Sequence, residues 1–375
     1  MKFDLDDIQL EPCTVSDINS RSEIDIYTNE YTFLPLIGAP MDTVFDRENC
    51  HKGIGYLKIG ICIPRGEDFN KFNGDVFDMY HKIKGDIGST YTVGSKVNHI
   101  TPLLSPDMFL SLSMREFQSR FLVDDLFFEI DKIKRPIRIL IDTANGHMNV
   151  LHDMIKKSKD KLGDKLIIMA GNVATPMAYK TLSDAGADYV RLGIGGGSAC
   201  LTSVQTGVGY PMGSLIHESY EISLGMENPA KIIADGGFRT YADIIKALAL
   251  GANYVMIGGI LNKCLEAHSR AYFLNIPVPN SWKDVLFDMN IPLYHKYRGM
   301  STKEVQKDWG AKSPKTAEGI TKKNKIEYRF TKWSENFEHY LRSAMSYTGC
   351  RSLKDFVGYG RFNIITENTK KRYDK

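Results

Sequence analysis

Eight short runs of almost unbroken apolar residues punctuate the chain, at 33–39, 54–61, 108–114, 137–143, 165–171, 188–194, 231–237 and 253–259. Val, Ile, Leu and Tyr dominate them, and they do not alternate with polar residues as half-exposed strands do. That is the pattern of parallel strands buried on both faces. Amphipathic stretches separate the later runs: "MAYKTLSDAGA" between the fifth and sixth, and "TYADIIKALALGA" between the seventh and eighth. Each closes on Gly or Gly-Ala, a helix stop signal. A strand-helix unit repeated eight times predicts a single α/β domain over 1–375, a (β/α)8 TIM barrel, with an open doubly wound sheet as the alternative. No inserted regulatory domain is expected. The Lys-rich segment at about 301–335 reads as a mobile active-site excursion, and 336–356 as a returning helix.

Net charge is +3 over 375 residues, too small to argue for nucleic acid as a partner. No run reaches the length of a membrane span, and the polar opening "MKFDLDD" does not read as a signal peptide. The six cysteines show no CxxC pairing, so reduced thiols in a cytoplasmic protein are expected, and no structural zinc.

Barrel enzymes carry their chemistry on the loops that follow the strands. Here those loops hold Asp42 in "APMDTV", then Asp142, Asn145 and His147 in "DTANGH", then Asn172 in "AGN". The sixth run leads into "GIGGGSACLTS" with Cys200. The seventh ends on Asp235, Gly236 and Gly237, the eighth on Gly258 and Gly259. Loops seven and eight form phosphate sites in many barrels. Backbone N–H groups there reach phosphate oxygens only where no side chain intervenes, which suits glycine, and Ser198 adds a hydroxyl. Tight turns alone would also explain the glycines. Cys200 sits in a glycine loop whose amides can support a thiolate nucleophile; a small buried thiol is the plainer alternative.

These blocks, with "AGADYVRLGIG", "IADGGFRTYADIIKALALGANYVMIGG" and "YRGMS", resemble the IMP dehydrogenase and GMP reductase family, in the same order. The resemblance implies a homotetrameric barrel that binds a purine nucleoside monophosphate, GMP or IMP, with Cys200 attacking C2 of the base. It assigns Ser198, Gly237, Gly258, Gly259 and Tyr297 to the phosphate and Asp235 to the ribose, with Gly236 and Gly299 also in the substrate site. Met300, Ser301, Lys315 and Gly319 fall beside the base. Thr202 and Glu318 become the proton relay. The dinucleotide falls to Asp142, Thr143, Ala144, Asn145, Gly146, Ile194 and Gly195, with Ser20 and Arg21 reaching in from a neighbouring subunit. Backbone carbonyls of Gly195, Gly197 and Cys200 correspond to a potassium site.

Within the family, the dehydrogenase hydrolyses its intermediate with an Arg-Tyr pair on a flap. The interval from Ser301 to Ala317 contains neither residue type. This predicts the reductase, which converts GMP to IMP and ammonia with NADPH. An IMP dehydrogenase without its regulatory domain and an inactive nucleotide-binding barrel are the alternatives. Four features depart from the family pattern: Gly196 stands for proline, Leu201 for threonine and Ser203 for arginine, and "GIGYLKIG" lacks the His-Lys expected after strand two.

Overall fold

The structure, a computed structural model, describes residues 2–28, 33–46, 49–65, 108–122, 136–308, 310, 312–313 and 316–373. Eight strands close into an all-parallel barrel: β1 (Leu36–Gly38), β2 (Gly60–Ile63), β3 (Met108–Leu112), β4 (Ile137–Asp142), β5 (Leu166–Val173), β6 (Tyr189–Leu192), β7 (Lys231–Asp235) and β8 (Tyr254–Ile257), with β8 pairing back onto β1. Because side chains alternate across a strand, each strand turns one set of residues inward and another toward the surrounding helices. The barrel interior is filled by a cluster with a residue from every strand: Ile37, Cys62, Phe109, Leu140, Met169, Tyr189, Ile233 and Met256. All are 9% exposed or less, so the barrel is plugged, and the plug floors the site above it.

The second strand departs from expectation. The apolar run at 54–61 begins as a π-helical turn, Gly53–Leu57, and the strand starts only at Gly60. Lys58, left-handed at φ 53°, breaks the helix, and its N–H closes on the Ile54 carbonyl. Gly53 allows this turn to press against Phe45 and Ile61; a Cβ there would lie 2.5 Å from Ile61.

The described residues of 301–335 include regular elements. A short helix (Lys303–Asp308) is followed by a strand (Thr321–Lys325) and by the start of a long helix, Phe330–Thr348. The returning helix therefore begins before residue 336 and breaks before a further turn at Leu353–Phe356. Its Trp333 and Phe337 stack with Tyr241 of the helix before β8. Thr321–Lys325 joins a four-stranded antiparallel sheet with Tyr294–Arg298, Ala271–Phe273 and Ile276–Pro277. This sheet has its own apolar cluster of Leu265, Ala271, Val278, Leu293 and Ile326. The alternation of Tyr294–Arg298 turns His295 and Tyr297 inward, and Tyr297 reaches the barrel mouth.

Candidate active site at the barrel mouth

A cleft opens at the C-terminal ends of the strands, where barrel chemistry belongs. Its most intricately bonded wall is the loop after β6. Gly193 leaves the strand at φ 126°, and a Cβ there would fall 2.3 Å from the Asp235 carbonyl oxygen, so only glycine lets this loop approach β7. The chain then folds on itself, with the Cys200 amide donating to the Gly197 carbonyl at 2.8 Å. A second segment is laid beside it by two backbone hydrogen bonds: Leu201 N–H to the Glu318 carbonyl (2.7 Å) and Ile320 N–H to the Ala199 carbonyl (2.9 Å). Cys200 thereby pairs with Gly319 across an isolated bridge.

This pairing brings three side chains into one file. The Cys200 thiol donates to Thr202 Oγ1 at 3.3 Å, and the Thr202 hydroxyl donates to Glu318 Oε2 at 2.8 Å. Cys200 is half-buried and lines the cleft, unlike the buried Cys50, Cys62, Cys264 and Cys350. A proton leaving the sulfur has a continuous path to a carboxylate.

Across the cleft lie the glycines of β7 and β8. Gly236 and Gly237 both have positive φ, 98° and 90°. A Cβ on Gly259 would sit 3.1 Å from Ser198 Oγ and 3.6 Å from the Tyr297 hydroxyl, so two side-chain hydroxyls converge on bare backbone. Burial pushes the Tyr297 phenol up, which keeps it a proton donor. Such a cradle suits a phosphate.

Arg191, 6% exposed, rises from β6 between two carboxylates. Its Nη1 donates to Asp142 Oδ1 at 2.8 Å and its Nη2 to Asp235 Oδ2 at 2.7 Å. Asn172 Nδ2 also donates to Asp235 Oδ2 and to the Gly193 carbonyl, both at 2.8 Å. Burial alone would favour a neutral guanidinium, but Asp235 and then Asp142 outweigh it and hold Arg191 charged. Cys62, directly beneath, is pushed up by its burial and stays a thiol. Arg65, just past β2, puts Nε 3.5 Å from Asp142 Oδ2.

Most of the residues singled out from the sequence line this cleft: Ser198, Cys200, Thr202, Asp235, Gly236, Gly237, Gly258, Gly259, Tyr297, Gly299, Met300, Ser301 and Glu318, with Asp142, Thr143, Ala144, Ile194, Gly195 and Gly197. Gly319 stands behind Cys200. Asn145 and Gly146 turn away from the cleft: Asn145 Oδ1 accepts the His147 amide, and a Cβ on Gly146 would strike the Asn172 carbonyl oxygen at 2.7 Å. His147 is occupied too, its Nε2 accepting the Ala174 amide at 3.0 Å, and burial lowers its proton affinity. Asp42 braces Arg298. Ser20 caps the exposed turn Arg21–Glu23, outside the lining of its own chain's cleft. Lys315 lies outside the described residues.

Two contributors escaped sequence reasoning. Arg191 carried a signal, since a lone cation inside an apolar strand needs a buried partner. Arg65 was hidden by the misplaced second strand: the exit of β2 is "PRG", not the end of "GIGYLKIG", so a cation does follow strand two.

Of the carbonyls set against a potassium ion, that of Gly197 already accepts the Cys200 amide and keeps one lone pair; those of Gly195 and Cys200 accept no backbone hydrogen bond among the described residues. The three fit a cation only in part, as one side of its shell. A bound cation would stiffen this loop.

A closed parallel barrel with a cysteine on loop six and a glycine cradle on loops seven and eight is of the class that places a thiol and an anion-sized recess in one cleft. Residues 137–373 match the domain family described as IMP dehydrogenase / GMP reductase domain, and the chain belongs to that family of oxidoreductases. It is 30% identical over 358 residues to the GMP reductase of Mesoplasma florum, covering 94% of each chain. To the GMP reductase of Streptococcus agalactiae it is 31% identical over 360 residues, 94% of this chain and 91% of the relative. An inosine-5'-monophosphate dehydrogenase of Mycobacterium bovis is 42% identical over 137 residues, only 26% of its own length.

Proposed function

We propose that this chain is a GMP reductase: it converts GMP to IMP and ammonia with NADPH, through a covalent bond between Cys200 and C2 of the purine. The observation that carries this reading is the hydrogen-bonded file from the Cys200 sulfur through Thr202 to Glu318. The near-full-length likeness to relatives named GMP reductase supports the choice of branch.

GMP lies with its phosphate in the cradle of Gly236, Gly237, Gly258 and Gly259, capped by the hydroxyls of Ser198 and Tyr297. Asp235, fixed by Arg191 and Asn172, accepts from the ribose hydroxyls. Anchoring both ends holds C2 against the sulfur, which converts a bimolecular attack into an intramolecular one. The thiol proton passes to Thr202 as its proton passes to Glu318, and the sulfur adds to C2. The relay then runs backwards, giving the proton to the exocyclic amine, which departs as ammonia and not as an amide anion. Met300, Ser301 and Gly319 border the base, and Lys315 stands a few residues before Glu318.

The dinucleotide would be held by Asp142, Thr143, Ala144, Ile194 and Gly195; a carboxylate and open backbone edging the cleft suit a ribosyl nicotinamide. When bound it supplies hydride to C2. The C–S bond then breaks, IMP leaves and the thiolate is protonated from solvent, its original proton having departed with ammonia. Ser20 and Arg21 serve a neighbouring cleft in a homotetramer, consistent with their exposure.

Paired turnover assays test this. With GMP and NADPH, we expect NADPH loss matched by ammonia. Formation of XMP from IMP and NAD, with no reaction of the first pair, would make the protein a dehydrogenase. Turnover of neither pair, with nucleotide still bound, would make it a binding protein.

A further inference from the structure

Ser203 follows the relay threonine directly, yet its side chain points the other way. Its hydroxyl donates to the Ile194 carbonyl at 3.1 Å, bridging nine positions and closing the catalytic loop on itself. The surrounding backbone is cleared for this contact. A Cβ on Gly195 would lie 1.7 Å from Ser203 Oγ, and φ there is 81°; a Cβ on Gly209 would lie 3.0 Å from the same oxygen. Two glycines from opposite ends of the loop thus face one hydroxyl.

We infer that Ser203 is a positioning residue for the catalytic cysteine: its hydroxyl ties the exit of β6 to the short helix Thr202–Thr206, and so fixes Thr202 against the sulfur. Ile194 and Gly195 border the cleft at one end of the tie and Thr202 at the other. The side chain fixes this loop from within, through its hydrogen bond to the Ile194 carbonyl. The inference rests on the proposed reading of Cys200, Thr202 and Glu318, and concerns how the loop that carries two of them is held.

Two variants test it, Ser203→Ala and Ser203→Thr, the second keeping the hydroxyl. One net hydrogen bond corresponds to a change of about two- to ten-fold. We expect Ser203→Ala to lower kcat for GMP by about that factor with a smaller effect on KM, because the glycines of the phosphate cradle come from the loops after β7 and β8, outside the tied segment. Ser203→Thr restores kcat. Alkylation by iodoacetamide gives a readout free of turnover: peptide mapping at Cys200, in potassium-free buffer, should show faster modification in Ser203→Ala than in wild type or Ser203→Thr. Adding potassium should narrow that gap. Wild-type kcat together with a wild-type alkylation rate in Ser203→Ala would overturn the inference. So would a loss in which KM and kcat worsen together and Ser203→Thr rescues neither. If the wild-type protein does not turn over GMP, the proposed function falls while the alkylation comparison still decides the role of Ser203.

Discussion

Cys200, Thr202 and Glu318 form one hydrogen-bonded file, and on the proposed function their removal should cost rate and spare binding. Cys200→Ser should leave GMP binding by calorimetry intact and NADPH oxidation undetectable. Glu318→Gln keeps the shape of the file but removes its proton sink, and kcat should fall by about 10²–10⁴-fold. Arg191 is a different kind of residue. Arg191→Met would leave Asp142 and Asp235, each 17% exposed at the side chain, without their shared cation. The expected cost is about 3–5 kcal/mol of stability, read as a lower urea midpoint. The cysteine and the glycines were legible in the sequence because their chemistry is local. The Arg191 bridge was not, because its two carboxylates come from β4 and β7, far apart in the chain.

The elements were legible where period and stop signals agreed, as in the helix Tyr241–Ala249, with its Thr240–Asp243 capping box, and β8 beyond it. At 54–61 they did not agree, since a short apolar run serves a buried helical turn as well as a strand. The outer sheet was missed altogether: its strands are only two to five residues long, Thr321–Lys325 is mostly lysine, and tertiary packing sustains them. That sheet carries a pH liability. His295 is fully buried, with Nδ1 on the Asn262 carbonyl and Nε2 meeting no hydrogen-bond partner among the described residues. Burial first, and then Lys283, lowers its proton affinity from 6.5 to about 3. Above pH 6.5 it is neutral folded or unfolded, and stability is unaffected. Between 6.5 and about 3 only the unfolded chain takes up the proton, so stability falls with pH by up to about 1.4 kcal/mol per unit. His295→Gln should flatten the melting temperature between pH 6.5 and 4, and an unchanged slope would place the acid sensitivity elsewhere.

At the scale of the whole molecule, the barrel was legible because eight buried strands leave few other ways to cover both faces of a parallel sheet. Lateral pairing of β6, β7 and β8 sets loop six beside loops seven and eight, so the sulfur and the glycine cradle share one cleft although Cys200 and Gly258 are far apart in sequence. The central claim is that a nucleotide held at its phosphate end presents C2 to that sulfur for reduction. Hydride tracing tests it most directly. GMP should be incubated with the protein and NADPH deuterated at the transferable position of the nicotinamide, and the products analysed by mass spectrometry and NMR. The account predicts IMP carrying deuterium at C2, with ammonia released in equal amount. IMP without the label, or XMP as the product, would contradict it.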